Sequence, residues 1–404
     1  MEGLQDISLE QACDLLLKAV QPITKAENVP LEDALGRVLA ENVAAPIDNP
    51  PFPRSPLDGY AFAASASAGA SAEHPVELRI VGEECAGDYF AGHVGAGEAV
   101  RLMTGARIPA GCDTVIRQED VRVEGDRLFV PYALQPYQNY CYAGEDIRKG
   151  TIAAAKGTRL NAGHIGRLAS LGFAEVKVCR MPRIVLASTG DELLMPGEPL
   201  RPGKIYNSNL YLLAARLREF GFSSEVLGVL PDDVEQAAEV LRPWGSRADL
   251  VLTTGGVSVG KKDIMHGVVA AIGHRLFWRV AMKPGAPAIA YKVGGTLGIA
   301  LSGNPFACFA TFEMLARPVL ARLAHREDLS LRETRGVLGD AFPKASRGRR
   351  FVRAHFNEDT GVVDLPDQHA SGALSELSRC NAFVEFPAGT PACPAGTGVK
   401  VFLL

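Results

Sequence analysis

The feature that most constrains this chain is an alternation of short apolar runs and helical segments over residues 182–325. The apolar runs read RIVLAST, SSEVLGVL, DLVLTT and TLGIAL, and segments with polar starts and glycine stops lie between them. An apolar run of about four to eight residues bounded by turns is typical of a buried strand. Strands alternate with helices when crossover helices cover both faces of a parallel sheet. The sequence therefore predicts a doubly wound, mainly parallel sheet in this region.

The rest of the chain differs from this layer. One region has short apolar runs between Gly and Pro turns, and the C-terminal region has short β runs without a long helix. The segments SLEQACDLLLKAV, PLEDALGRVLAENV and NAGHIGRLASLG predict helices near and beyond the N-terminus. The fold class is therefore α/β plus β in several domains. The predicted domains are an N-terminal and connecting domain (1–53 and 143–181), a small β-rich domain (54–142), the α/β domain (182–328) and a C-terminal β domain (329–404).

Composition excludes several classes of protein. The chain has 404 residues, 47% of them hydrophobic and 22% charged, with a net charge of -4. This charge balance predicts no strongly basic surface that would attract nucleic acid or an anionic membrane. The eight cysteines form no C-x-x-C pair, so free thiols in a reducing cytosol are favoured over a zinc site. The acidic N-terminus does not resemble a signal peptide, and no apolar run reaches the ~18 residues of a membrane span. We expect a cytoplasmic protein.

Three polar, glycine-containing loops follow three of the predicted strands. They are STGDE (188–192), TTGGVSVGKKD (253–263) and SGNPF (302–306). The carboxyl ends of parallel strands share one edge of a sheet, and ligands bind there. Glycines let backbone N–H groups approach an anion, and a helix start adds a favourable dipole. A single such loop is usually only a turn, but three at one edge predict an anion-binding crevice.

The second loop raises a specific question. From Gly255 it reads G-x-x-x-x-G-K, the phosphate-binding loop of nucleoside triphosphatases, but Lys262 stands where a Ser or Thr hydroxyl would hold Mg²⁺. A lysine cannot ligate a metal in that way. A different phosphate site is favoured, with a nucleoside-triphosphate loop as the alternative.

Carboxylates and basic residues flank these loops. Glu192, Asp232 and Asp263 each appear at a strand-to-helix junction, where an acid either caps the helix or joins a cluster that holds Mg²⁺. Arg279 and Lys283 are four residues apart, which predicts one face of a strand. Lys283 is then either an oxyanion ligand or an exposed lysine at a strand end.

Several unrelated motifs occur in an order and spacing that resemble the molybdopterin molybdenumtransferase family, which includes the C-terminal domain of gephyrin. They are SPLDGYA (55–61), MTGARIPAGCDTVIRQED (103–120), STGDEL (188–193), TTGGVSVGKKD (253–263), MKPGAP (282–287) and SGNP (302–305).

The resemblance implies an activity and an assembly. The family inserts molybdate into the dithiolene of adenylylated molybdopterin with Mg²⁺, which releases AMP and yields molybdenum cofactor. It implies a homodimer of four-domain subunits, in which the α/β domain of one subunit faces the small β-rich domain of the other. A molybdopterin adenylyltransferase is the implied transfer partner, and neither nucleic acid nor a membrane is involved.

The resemblance also assigns residues. The functional positions fall on Asp58, Thr104, Glu192, Asp232, Asp263 and Lys283. Of these, Glu192, Asp232 and Asp263 would organise Mg²⁺, and the partner subunit would supply Asp58 and Thr104. The substrate-binding positions are Gly255, Gly256, Ser258, Gly260, Arg279, Ser302, Gly303, Asn304, Pro305, Arg353 and Ser371. A guanidinium with a hydroxyl, as at Arg353 and Ser371, suits a tetrahedral oxyanion such as molybdate.

Some residues depart from the family pattern. The family often reads KPGKP, whereas Ala286 removes one expected basic contact to the oxyanion. Arg279 replaces a common lysine, and Ser302 replaces a proline. Tungstate remains open as the oxyanion because its shape and charge match those of molybdate. The alternative functions are a molybdopterin adenylyltransferase, which would consume ATP, and a gephyrin-like scaffold protein.

Overall fold

The computed structural model describes residues 3–258, 260 and 263–404, and the chain forms two compact units. The first unit contains the described residues up to Glu27, Gly36–Val38 and Cys179–Leu404. The second contains Asn28–Leu35 and Leu39–Val178. In the described part of the chain, no helix is both long enough and apolar enough to cross a bilayer.

A seven-stranded mixed sheet is the centre of the first unit. Its strands, in spatial order, are Leu4–Ile7, His274–Val280, Ile289–Val293, Thr296–Leu301, Leu250–Thr254, Ile184–Thr189 and Ser224–Leu230. The last four run parallel to one another. The strand Ile289–Val293 is antiparallel to both of its neighbours. The predicted doubly wound, mainly parallel sheet is confirmed.

Three of the four parallel strands are buried on both faces. Every residue of Ile184–Thr189, Leu250–Thr254 and Thr296–Leu301 is buried. Side chains alternate between the two faces of a strand. Leu186 therefore lies in one hydrophobic core, while its neighbours Val185 and Ala187 lie in the other.

Helices supply the other side of each core. The helices of the first unit are Leu9–Ala19, Ser208–Glu219, Val234–Leu241, Trp244–Arg247, Met265–Ile272, Pro305–Thr311 and Arg317–Leu323, with a π-helical turn at Phe312–Ala316 between the last two. Local chemistry sets their starts: the side chains of Asn207 and Asp233 cap their helices by accepting hydrogen bonds from backbone N–H groups.

The N-terminal residues belong to the α/β unit, which differs from the expected domain 1–53. The strand Leu4–Ile7 pairs with His274–Val280 at the edge of the sheet. The predicted helix forms as Leu9–Ala19 with a capping box at Ser8, and Leu16 enters the larger core. The apolar stripe of this helix packs against Arg317–Leu323, the π-helical turn and the strand His274–Val280, so burial fixes the segment to the α/β unit.

The helix predicted at PLEDALGRVLAENV is wrong. Only a 3₁₀ turn forms there, at Leu31–Asp33. Gly36 follows with a positive φ of 76°, and Leu39 forms a β-bridge with Val178. A glycine in the left-handed region ends helical structure. The helix-favouring residues before Gly36 therefore form no more than this 3₁₀ turn.

The C-terminal residues form a closed barrel within the first unit. Its strands, in spatial order, are Arg332–Leu338, Val362–Asp364, Arg350–Phe356, Ala382–Phe386 and Gly398–Leu403. Phe351, Phe383 and Phe402 pack into the core of the α/β domain. The barrel is thereby joined to the α/β domain by a continuous apolar contact.

The second unit is built on a six-stranded sheet. Its strands, in spatial order, are Thr114–Arg117, Gly59–Phe62, Glu98–Leu102, Val76–Glu84, Arg127–Val130 and Arg122–Glu124. The same unit contains the predicted helix Ala162–Ser170, capped by Asn161, and the short paired strands Val43–Ala44 and Ile152–Ala154. The expected small β-rich domain is present.

We predict that Leu16→Ala lowers the free energy of unfolding of the α/β unit by roughly 2–5 kcal/mol, because it leaves a cavity in that unit's core. Urea unfolding followed by tryptophan fluorescence measures this, since Trp244 and Trp278 both lie in the α/β domain. The matched control is Leu4→Ala, because Leu4 is 55% exposed. Equal destabilisation by both substitutions would contradict the placement of the N-terminal helix.

Candidate functional site

The three glycine loops meet at one pocket of ≈ 950 Å³ at the carboxyl edge of the parallel strands. The pocket lies wholly within the first unit. The predicted site residues that line it are Glu192, Asp232, Gly255, Gly256, Ser258, Asp263, Lys283, Ser302, Gly303, Asn304, Pro305 and Ser371. The position of Lys262 lies outside the described residues.

Gly255 and Gly256 allow two of the loops to touch. Both have positive φ, 90° and 64°. A Cβ on Gly255 would lie 2.6 Å from the carbonyl oxygen of Thr189, and one on Gly256 would lie 2.7 Å from its hydroxyl. The amide of Gly255 donates to the carbonyl of Leu301 at 3.1 Å. The role of Gly255 is therefore close packing of the loops, because its N–H already has a partner inside the fold.

A polar network under these loops was missed by sequence reasoning. The side-chain amide of Asn209 donates to Thr254 Oγ1 at 3.2 Å and to the carbonyl oxygen of Gly303 at 2.8 Å. Ser188 Oγ contacts Asn207 Oδ1 at 3.4 Å and Thr254 Oγ1 at 3.5 Å. Asn209 thus ties the second loop to the third. The only signal in the sequence was a second asparagine just after a helix cap.

Several polar atoms in the wall of this pocket are buried and have no hydrogen-bond partner among the described residues. They are Thr189 Oγ1, Asn207 Nδ2, Asn209 Oδ1 and Asp232 Oδ1. Buried polar groups in native proteins are nearly always paired, and an exception needs an explanation. A polar ligand in the pocket would supply the missing partners.

The neighbouring Asp233, and not Asp232, caps the helix that follows. Asp233 Oδ1 accepts from the amide of Gln236 at 2.9 Å and caps the helix Val234–Leu241. Asp232 Oδ2 accepts from the amide of Asp191 at 3.0 Å, which links it to the first loop. Its other oxygen is buried without a partner. Asp232 is therefore available to a ligand, and Asp233 is not.

Of the other two carboxylates, Asp263 lies at the expected junction, directly before the N-cap Ile264 of the helix Met265–Ile272, whereas Glu192 does not. Glu192 lies in a loop before the short strand Leu193–Leu194, and its carboxylate packs over Gly190, where a Cβ would lie 2.8 Å from Glu192 Oε1. Asp263 Oδ2 accepts a short hydrogen bond from the amide of Gly260 within a turn. Neither side chain caps a helix.

These carboxylates share one pocket but do not form a ready-made metal cage. In the described ranges, no three or more His, Cys, Asp or Glu side chains lie close enough together to hold a metal ion. Mg²⁺ usually binds through one or two carboxylates, with waters and substrate phosphates as the remaining ligands. The unpartnered Asp232 Oδ1 and the oxygen-rich wall fit such a site, in which the substrate completes the coordination.

A second cavity of ≈ 290 Å³ shares Lys283, Pro284 and Ser371 with the first. Among the described residues, its lining contains the basic residues Lys283, Lys344, Arg350, Arg353 and His369 and no carboxylate. Burial, and next the positive charges of Lys344, Arg353 and Arg350, lower the pKa of His369. The cavity therefore suits an anion.

Two backbone junctions hold the walls of this cavity together. Lys283 is bridged to the barrel: its amide donates to Arg349 O at 2.9 Å, and its carbonyl oxygen accepts from the amide of Phe351 at 2.7 Å. The carbonyl oxygen of Ser371 accepts from the amide of Phe306 at 2.9 Å. Lys283 and Ser371 are therefore placed by backbone contacts between the α/β domain and the barrel.

The expectation that Arg279 and Lys283 share a strand face is wrong. The strand ends at Val280, and Arg279 has a positive φ of 66°, which breaks the regular alternation of side chains. The guanidinium of Arg279 pairs with Asp6 at 2.8 Å. It lines neither cavity. In the first unit, Arg279 fastens the N-terminal segment to the sheet edge.

Asp58 and Thr104 are brought together in the second unit. Asp58 Oδ1 accepts from both the amide and the hydroxyl of Thr104, each at 2.7 Å. These two hydrogen bonds, the backbone one first, lower the pKa of the Asp58 carboxyl. The pair is therefore a fixed carboxylate with a hydroxyl held in one orientation.

We predict that Thr104→Val raises the pKa of Asp58 in the folded protein toward its ordinary value, because one of the two donors is lost. A depressed carboxyl pKa contributes stability above the unfolded pKa, and this is lost as the pH falls through the folded pKa. The variant should lose this contribution at a higher pH than the wild type. A carboxyl NMR titration checks the shift. Thr104→Ser keeps the hydroxyl and is the control; an unchanged titration in Thr104→Val would contradict the pairing.

Comparison with known proteins assigns the chain to a family. Family models match three successive segments: "MoeA N-terminal region (domain I and II)" over residues 7–172, "Probable molybdopterin binding domain" over 185–322 and "MoeA C-terminal region (domain IV)" over 335–404.

Relatives match over nearly the full length. The chain is 34% identical over 407 residues to a molybdopterin molybdenumtransferase of Staphylococcus epidermidis, covering 100% of this chain and 97% of the relative. It is 36% identical over 387 residues to the Bacillus subtilis protein of the same name, covering 94% and 90%. A crystal structure of a molybdopterin biosynthesis MoeA protein from Pyrococcus horikosii matches with a TM-score of 0.86 and 31% identity, covering 98% and 99%. The chain belongs to the molybdopterin molybdenumtransferase family.

Proposed function

We propose that this chain transfers molybdenum from molybdate to the dithiolene of adenylylated molybdopterin, with release of AMP. The observation that carries the proposal is the pair of joined cavities. A polar pocket of ≈ 950 Å³ with three carboxylates adjoins a basic cavity of ≈ 290 Å³, and Lys283 and Ser371 line both. A large phosphorylated substrate and a small oxyanion can thus meet at one boundary.

The large pocket suits the adenylylated substrate. A pocket of this size is at the upper end of ordinary ligand sites. Its polar wall, with the glycine loops and the tie of Asn209 to Gly303, presents fixed dipoles to a phosphoanhydride and to polar ring edges. Preorganised dipoles of this kind stabilise charge without reorganisation during the reaction.

The small cavity suits molybdate, a tetrahedral dianion. Lys283 and Ser371 line both cavities, and charge-assisted hydrogen bonds from them would orient an oxyanion toward the larger pocket. Ala286 lines the larger pocket where relatives often carry a lysine. The basic residues of the barrel therefore supply most of the charge for the anion in this chain.

Mg²⁺ would be held by Asp232 together with Asp263 or Glu192 and the substrate's phosphate oxygens. When bound, the ion would neutralise charge on the phosphoanhydride and favour departure of AMP. The chain's own part is to hold these carboxylates at the pocket. Asp232 is held for this by its hydrogen bond from Asp191, and Asp263 by its turn with Gly260.

The working assembly is proposed to be a cytoplasmic homodimer. The fixed Asp58–Thr104 pair lines neither cavity of the first unit, and the family resemblance assigns it to the partner's active site. The eight free thiols suit a reducing compartment. The adenylylated substrate would come from a molybdopterin adenylyltransferase, and the chain itself would not consume ATP.

We predict that Asp232→Asn raises the Mg²⁺ concentration needed for half-maximal AMP release by roughly tenfold or more, because a ligand charge is lost. The assay supplies adenylylated molybdopterin and molybdate without ATP and is run as a Mg²⁺ titration. Removal of Mg²⁺ by a chelator should suppress AMP release in the wild type.

The matched control for this test is Asp233→Asn. It changes the same charge one residue away, but asparagine caps a helix as well as aspartate does. The Mg²⁺ dependence of this variant should equal that of the wild type. If Asp232→Asn and Asp233→Asn respond alike, Asp232 is not a metal ligand.

We predict that two inactive variants restore each other when mixed. Asp58→Asn removes the carboxylate of the second unit, and Asp263→Asn removes that of the pocket while leaving an acceptor for Gly260. In a dimer with shared sites, subunit exchange gives one site with both wild-type halves. AMP release by the mixture should exceed that of either variant alone. No recovery after verified exchange would place both residues in a single subunit.

A further inference from the structure

The basic cavity contains positive charges that the fold does not neutralise. Among the described residues, the side chains of Lys283, Lys344 and Arg350 have no hydrogen-bond or ion-pair partner, and all three line this cavity. The adjacent Arg349 shows the contrast, because its guanidinium pairs with Glu385 at 2.6 Å and with Glu10. These positive charges line a cavity that has no carboxylate among the described residues, so they are available to bind an anion.

Arg353, the guanidinium that the family resemblance assigns to the oxyanion, is already engaged. Its Nη1 donates to the carbonyl oxygen of Ala373 at 3.1 Å. Its Nη2 donates to the carbonyl oxygens of Gln368 at 2.5 Å and Ala370 at 3.2 Å. The group also stacks over Phe306, 4.5 Å from the ring centroid, and is 1% exposed. Three of the five N–H donors are used, including both on Nη2. Each parallel donor pair of a guanidinium includes Nη2, so no pair is left for a bidentate grip on an oxyanion.

These three bonds hold the loop that carries Ser371. The acceptors Gln368, Ala370 and Ala373 flank the serine on both sides. The amide of Ala373 donates to Ala370 at 3.2 Å, which closes a turn around Ser371. Arg353 lines the cavity, but its Nη1 and Nη2 atoms bind this loop, and it thereby positions Ser371.

Arg350, unlike Arg353, forms no hydrogen bond through its side chain in the described part of the chain. It is in register with Lys283 across a parallel β-bridge between the barrel and the α/β domain. Its guanidinium is 5.6 Å from the centroid of the Phe342 ring, and its Nε is buried without a partner in the described part of the chain. His369 Nδ1 is also buried and unpartnered beside it, with its ring packed edge-on to Phe342. An intact guanidinium fork is thus available next to Lys283.

We propose that Arg350 is the guanidinium that binds the oxyanion, assisted by Lys344 and His369, and that Arg353 is a positioning residue for the loop 368–373. This inference rests on the proposed function, because that function identifies the oxyanion as molybdate. The oxyanion would be held between Arg350 and Lys283, with the Ser371 hydroxyl as a third donor.

The test compares Arg350→Gln with Arg353→Gln in the full-length protein. Molybdate binding is measured by calorimetry, and hydrogen exchange of the Ala373 amide reports the loop. We expect Arg350→Gln to weaken molybdate binding by roughly tenfold to a hundredfold while loop exchange stays as in the wild type. Arg353→Gln should accelerate loop exchange. Arg350→Lys, which keeps the charge, should retain part of the affinity, whereas Arg353→Lys should not restore the loop.

Arg347→Gln is the matched control, because Arg347 is exposed and does not line the cavity. It should change neither measurement. Wild-type affinity in Arg350→Gln would overturn the proposal, as would lost binding in Arg353→Lys with an unaltered loop. Failure of the wild type to bind molybdate would also overturn it. A wild type that binds molybdate through Arg350 but releases no AMP would refute the proposed function and leave the division between the two arginines intact.

Discussion

The burial of the parallel strands on both faces is the constraint on which the rest of the first unit depends. Strands such as Leu250–Thr254 bury every side chain, so helices must cover each face and the chain must return to the same edge of the sheet. The loops that follow Thr189, Thr254 and Leu301 are therefore neighbours. The pocket forms at this edge because the chain comes back to it at the end of each parallel strand.

Close packing at that edge then selects the residues of the loops. Gly255 and Gly256 are required because the loop after Thr254 touches Thr189, where any Cβ would clash. Below this contact, Asn209 satisfies the carbonyl oxygen of Gly303. Four of the buried polar atoms without a partner in the described residues belong to the pocket wall, where a ligand can pair them. The polar groups at this edge thus hold the loops together and also offer contacts to a ligand.

The helices and strands of 182–325 and the position of the loops were predictable because their hydrophobic periodicity and caps are local. Other features were not, because they depend on distant partners. The strand Leu4–Ile7 joins the sheet only through His274–Val280, far along the chain. Arg279 was predicted to be a ligand, and only the tertiary structure brings its guanidinium beside Asp6. Asp232 and Asp233 are indistinguishable in sequence, and only the helix cap separates them.

By itself the sequence determined the α/β layer, its glycine loops and, through motifs, the family. These follow from spacing along the chain, which local geometry converts directly into strands, turns and caps. Only the tertiary structure decided which charged groups are free to act. Arg349, Arg350 and Arg353 lie within five residues of one another. Arg349 forms ion pairs, Arg353 binds a loop, and Arg350 lines a cavity without a hydrogen-bond partner in the described residues. A charge is neutralised by whatever the fold brings beside it, and that partner is set by packing rather than by sequence separation.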